Sequence, residues 1–177
     1  MRVLLTLIFF FTIGIHTAKA CKCQGVNDVQ TEFEGTEVIV HGKVLSKSIV
    51  SYASTLSTEK LNAIREKYKS DSQKLAFLES ESIIKVELEI IESYKGNGLK
   101  NNITVYTSKT GASCGFLGFK VDEDFLIYLS QKSQMEFMFA KVSNGTKDSS
   151  GLWTNHCTRT KGFDKSEHEK LYKLKNG

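Results

Sequence analysis

The chain has 177 residues, 40% of them hydrophobic and 25% charged, with a formal net charge of +4. That length suits one domain with a sizeable core. A charge so nearly balanced does not call for nucleic acid or an anionic membrane as partner.

The first twenty residues read as an export signal. Arg2 supplies the charged start, Val3 to Ile15 an almost unbroken apolar run, and Ala18 and Ala20 the small residues that signal peptidase requires. The run is too short to span a bilayer, and no later segment is longer. Residues 1–20 are therefore expected to be removed, leaving a secreted, soluble, monomeric domain over 21–177 that begins with Cys21. All four cysteines, Cys21, Cys23, Cys114 and Cys157, lie in the exported part. An oxidising compartment and an even count favour two disulfides. Cys21 and Cys23 are too close for an easy bond to each other, so one must reach Cys114 and the other Cys157. A zinc site using these cysteines with His156 is the competing reading, disfavoured by the C-x-C spacing and the export signal.

With no proline in the chain, turns must rely on Gly, Asn, Asp and Ser. Val26 to Glu34 reads as a short polar helix or turn. Glu37 to Ser48 alternates as a half-buried strand, with Val38, Val40, Gly42 and Val44 on one face and a bulge or coil expected at Gly42. From Thr55 to Ser80 the spacing becomes helical through Leu61, Ile64, Tyr68, Leu75 and Leu78, broken at Ser70-Asp71-Ser72, where Ser or Asp can cap a second helix. Strands are expected again at Ile83 to Tyr94, Asn102 to Thr107, Phe125 to Leu129 and Met135 to Val142. Ser143 to Gly151 has loop composition. Asp164-Lys165-Ser166-Glu167 resembles a capping box that opens a helix burying Leu171 and Leu174. The fold expected is mainly β: a five-stranded closed barrel with peripheral helices, including a helical insertion (55–80) between the first two strands.

Catalytic motifs are weak. Gly111-Ala112-Ser113-Cys114-Gly115 fits G-x-S-x-G, but a loop follows where the nucleophile elbow needs a helix. Beyond the signal the histidines are His41, His156 and His168; none belongs to H-E-x-x-H, and His41 and His168 read as surface residues. The chain is expected not to be an enzyme and to carry no cofactor of its own. Asn102 and Asn144 open N-x-T sequons, glycosylation acceptors if the source glycosylates.

The feature left over is Cys21-Lys22-Cys23 at the cleavage point. Together with Val38-Ile39-Val40-His41-Gly42-Lys43-Val44, Ile90-Ile91-Glu92-Ser93-Tyr94-Lys95-Gly96, Ile103-Thr104-Val105-Tyr106-Thr107, Ser113-Cys114-Gly115, Phe125-Leu126-Ile127-Tyr128 and Cys157, it resembles the amino-terminal domain of tissue inhibitors of metalloproteinases. The resemblance implies a netrin-like, OB-type barrel with disulfides Cys21–Cys114 and Cys23–Cys157. It further implies an inhibitory wedge of Cys21, Lys22, Cys23, Ala112 and Ser113. In that wedge the α-amino nitrogen and carbonyl oxygen of Cys21 chelate the zinc of a target metalloprotease, and Lys22 points into its specificity pocket.

Three departures accompany the likeness. The family usually has Thr or Ser where Lys22 stands, and a long cation in an apolar pocket is costly unless it meets an acid. The helical insertion replaces a shorter hairpin loop. The third disulfide of the inhibitory domain and the cysteine-rich second domain are absent. A netrin-like binding module without a protease target, and a lipoprotein acylated on Cys21, are the alternative readings.

Overall fold

The computed structural model describes Cys23, residues 27–133, 135–142 and 151–177. Four α-helices and six strands occur among them: α1 (Val29–Gly35), β1 (Val38–Ser51), α2 (Thr58–Lys67), α3 (Ser72–Ser80), β2 (Ser82–Lys95), β3 (Asn102–Ser108), β4 (Asp124–Leu129), β5 (Leu152–Trp153), β6 (Lys161–Gly162) and α4 (Lys165–Asn176). Short 3₁₀ turns cover Tyr52–Thr55, Gly111–Ser113 and Glu136–Val142.

The strands form one mixed sheet in the order β5-β3-β2-β1-β4-β6. Every pairing is antiparallel except that of β3 with β5. The sheet has six strands rather than five and is not closed. Among the described residues, the end of β4 reaches back to β5 at one place, the Ser130–Trp153 bridge, through reciprocal N–H···O bonds of 2.9 and 2.8 Å.

Period-two alternation decides which side chains meet. Val38, Val40 and Val44 of β1 join Val86 and Leu88 of β2, Val105 of β3 and Phe125, Ile127 and Leu129 of β4 in one cluster on the inner face. Ile39, Leu126 and Tyr128 point the other way and are covered by Val29 of α1 and Leu171 of α4. The expected irregularity at Gly42 is present: the β1–β2 register slips between His41 and Gly42. A Cβ there would lie 3.1 Å from the Glu89 carbonyl oxygen, so the absent side chain lets the strands coil closely.

The insertion is helical, as its spacing predicts. Ser57 caps α2 and Asp71 caps α3, each side chain accepting a backbone N–H of the first turn. Ile64 and Leu78, both fully buried, turn onto Tyr52, Ile83, Tyr106, Phe139 and Trp153. Lys60, 3% exposed, stretches beneath this layer and donates from Nζ to the Val142 carbonyl at 3.2 Å.

Three further expectations fail here for clear reasons. In place of the strand expected over Met135 to Val142, Glu136–Val142 is a kinked 3₁₀ segment preceded by a turn at Met135. Its buried residues Met135, Phe139 and Val142 recur every three to four positions and face the insertion, whereas a strand would alternate by two. His41 is 9% exposed instead of lying on the surface; Phe163 stacks on it at 4.4 Å and Asp124 Oδ2 lies 3.2 Å from Nε2. His168 is likewise half-buried and hydrogen-bonded to the Tyr94 hydroxyl.

Ile64→Ala and Leu78→Ala should each cost about 2–5 kcal/mol, because truncation leaves a cavity under the insertion. Arg65→Ala should cost under about 1 kcal/mol, since its ion pair with Glu79 is half-exposed on both sides. Urea denaturation of the three variants measures the difference.

Candidate functional site

The resemblance gathers its site from three places in the chain. Cys21 and Lys22 lie outside the described residues, as do the expected signal (1–20) and Asn144. The remaining members, Cys23, Ala112, Ser113, Cys114 and Cys157, are all described.

Cys23 is disulfide-bonded to Cys157 across a sequence separation of 134, with the Cα atoms 5.1 Å apart. Constraining so long a loop stabilises the fold by about 4–5 kcal/mol on the chain-entropy estimate. The bond also takes both sulfurs out of the competing zinc reading, and no group of three or more potential metal ligands occurs among the described residues. Cys114 is disulfide-bonded as well. Its expected partner, Cys21, lies outside the described residues.

The two distant anchors sit side by side. The backbone N–H of His156, the residue before Cys157, donates to the Cys114 carbonyl at 2.7 Å. Each anchor is held by its own turn. Thr110 caps the 3₁₀ turn, its Oγ1 accepting from Ser113 N–H at 3.2 Å and donating to Ser113 Oγ at 3.0 Å. Cys114 follows in the left-handed region at φ 56°, uncommon for a residue with a side chain. Gly115 then passes so close to β3 that a Cβ would meet the Ser108 carbonyl oxygen at 2.0 Å. Ala112 is exposed and Ser113 half-buried on this turn, beside Cys114. The G-x-S-x-G match is thus a 3₁₀ turn leading into a loop, without the helix of a nucleophile elbow.

The second anchor lies in an Asx turn: Asn155 Oδ1 accepts from the N–H groups of Cys157 (2.7 Å) and Thr158 (3.2 Å). Three hydroxyls brace it. Thr154 Oγ1 contacts Thr160 Oγ1 at 2.7 Å and Thr158 Oγ1 at 3.1 Å, and Thr160 Oγ1 accepts from Tyr128 N–H at 3.0 Å.

One charged cluster behind this turn escaped the sequence. Asp164 caps α4, accepting from Glu167 N–H at 3.1 Å as a capping box would have it. The Glu167 carboxylate does not reach back to the cap. It is 2% exposed and accepts from Tyr128 Oη (2.7 Å), Lys161 Nζ (2.7 Å), Arg159 Nε (3.0 Å) and Arg159 Nη2. Burial pushes this carboxyl up, but the hydrogen bonds from Arg159, Lys161 and Tyr128 outweigh it and hold it below the ordinary glutamate range. The Tyr128 phenol is raised, by burial first and by Glu167 second. The only sequence signal for the cluster is the Asp-x-x-Glu spacing, which points to the cap instead.

Comparison with known proteins adds nothing to the geometry: no protein-family model and no curated protein matches the chain.

Two outcomes follow from these turns. Gly115→Ala should displace the Cys114 loop and cost about 3 kcal/mol, read by thermal or urea denaturation. Glu167 has a depressed folded pKa, so its contribution is complete above the unfolded value of ~4.3 and is lost as pH falls through the folded one. The urea midpoint should therefore be flat near neutrality and drop below pH ~4. Glu167→Gln should lose about 3–5 kcal/mol at pH 7, because Arg159 loses its buried carboxylate while Lys161 keeps Asp164, and should show a shallower acid limb.

Proposed function

We propose that the protein is a secreted inhibitor of zinc metalloendopeptidases, acting through the amino-terminal cysteine left by signal cleavage. The observation that carries this reading is the Cys23–Cys157 disulfide beside the 2.7 Å bond from His156 N–H to the Cys114 carbonyl. An amino terminus stapled at its third residue to one anchor, with a second disulfide-bonded cysteine adjoining, is a built device rather than a fraying end. Pairing of Cys21 with Cys114 completes it.

The fold reading that goes with this is an OB-type, netrin-like barrel. It is supported by the neighbour sequence β1-β2-β3-β5, by the parallel β3–β5 pair, and by the Ser130–Trp153 bridge that links β4 back to β5. On this reading the barrel is an open one, approached at that bridge, and β6 is an extra edge strand outside β4.

The chemistry follows from the terminus. A catalytic zinc holds three protein ligands and keeps one position for water. The α-amino nitrogen and carbonyl oxygen of Cys21 form a five-membered chelate with such a zinc and displace the nucleophilic water. The amine must be neutral to bind, and an α-amino group with a pKa near ~8 gives up its proton to solvent readily as the metal takes its lone pair. Disulfides that fix the wedge beforehand leave little ordering entropy to be lost on association. Ala112 and Ser113, on the turn that ends in Cys114, supply a second contact. Lys22 enters the protease's specificity pocket and selects one that meets its charge with an acid.

Adding one residue before Cys21, or acetylating it, should weaken inhibition of a responsive zinc endopeptidase by roughly 100-fold, about 2.8 kcal/mol, with an unchanged urea midpoint. Equal inhibition by the extended form contradicts chelation. Absence of inhibition by the native form across a panel of zinc peptidases selects the netrin-like binding module instead.

A further inference from the structure

Cys157 is not the only residue of its segment that holds the amino-terminal stretch. Two positions later, Arg159 donates from Nη1 to both the backbone carbonyl and the Oδ1 of Asn27, the latter at 2.9 Å. Residues 157 and 159 thus grip residues 23 and 27, one covalently and one through a guanidinium fork. Asn27 is exposed and immediately precedes Asp28, which caps α1 through Thr31 N–H at 3.0 Å.

The fork is aimed from behind. Glu167 occupies Nε and Nη2 of Arg159 and is itself fixed by Tyr128 and Lys161, so the guanidinium plane cannot turn and Nη1 faces Asn27. An ammonium could neutralise Glu167 but could not serve both partners in this geometry. A purely structural Arg159, present to compensate a buried carboxylate, would have no need of Asn27.

We infer that Arg159, oriented by Glu167, is a positioning residue for the proposed inhibitory terminus: with the Cys23–Cys157 bond, its grip on Asn27 ties the stretch leading to the wedge to the body at two points, residues 23 and 27. The inference rests on the inhibitor reading for its consequence, but not for its geometry. Asn27 and Arg159 form one clamp whose halves can be removed separately.

The test uses the full secreted chain and three variants: Asn27→Ala, which leaves the Arg159–Glu167 pair intact; Asn27→Asp, which restores an acceptor; and Arg159→Lys, which keeps the charge but loses the fork. Amide hydrogen exchange over residues 22–28, the urea midpoint, and the inhibition constant against a panel of zinc endopeptidases are measured together. Asn27→Ala should raise local exchange about tenfold and weaken inhibition about tenfold, as loss of a charged hydrogen bond implies, with the midpoint unchanged. Arg159→Lys should do the same locally, and Asn27→Asp should match the parent protein. Unchanged exchange in both Asn27→Ala and Arg159→Lys overturns the clamp, whatever the inhibition data show. Raised exchange with undiminished inhibition overturns the positioning role. If the parent protein inhibits no peptidase, the inhibitor reading falls, and the exchange data still decide whether Arg159 anchors the terminus.

Discussion

The constraint on which the rest depends is the seat formed by residues 154–160. This short segment receives a disulfide from Cys23, donates a backbone hydrogen bond to Cys114 and sends a guanidinium to Asn27. Its shape is fixed by the Asn155 turn and the hydroxyls of Thr154, Thr158 and Thr160. None of these bonds is strong alone, since a net hydrogen bond is worth about 1 kcal/mol. Together with a disulfide closing most of the chain, they make residues 23 and 27 part of the body.

The sheet supplies the platform. β1 and β2 carry apolar residues on both faces, and each face has its own cover: the inner cluster on one side, α1 and α4 on the other. β4 pairs with Val38 to Lys43 of β1 and Val44 still exchanges backbone bonds with Asp122 and Glu123, but further along β2 is the strand partner of β1, and Leu45 and Ile49 are exposed. The insertion reclaims the far end of this long hairpin, packing Ile64 and Leu78 over Tyr52 and Ile83. Ile64 and Leu78 thereby stiffen an extension that two strands alone would hold only marginally.

Most strands were legible because one physical signal sufficed. The alternation through Ile84, Val86 and Leu88 reports a two-sided environment directly, and Gly42 marks the coil because a side chain there would crowd the Glu89 carbonyl. β5 and β6 were missed: at two residues each they are too short to show a period, and long-range pairing alone makes them strands. Met135 to Val142 is apolar and was read as a strand, but its spacing answers to helices far away in sequence. His41 and Glu167 are polar residues buried by partners from distant elements, Phe163 and Asp124 for one, Arg159 and Tyr128 for the other. Such pairings leave no local trace. Of the site, the cysteines and the Ala112–Ser113 turn could be read from the chain; the fork from Arg159 to Asn27 could not.

The central claim is that the working chain begins with an unblocked Cys21 tied to Cys114. Mass spectrometry of the secreted protein, digested without reduction, tests it most directly. The account predicts an amino-terminal peptide starting at Cys21 with a free α-amine, linked through its two cysteines to the peptides holding Cys114 and Cys157. A first residue other than Cys21, an acyl or acetyl group on its nitrogen, or a Cys21 thiol left free contradicts it.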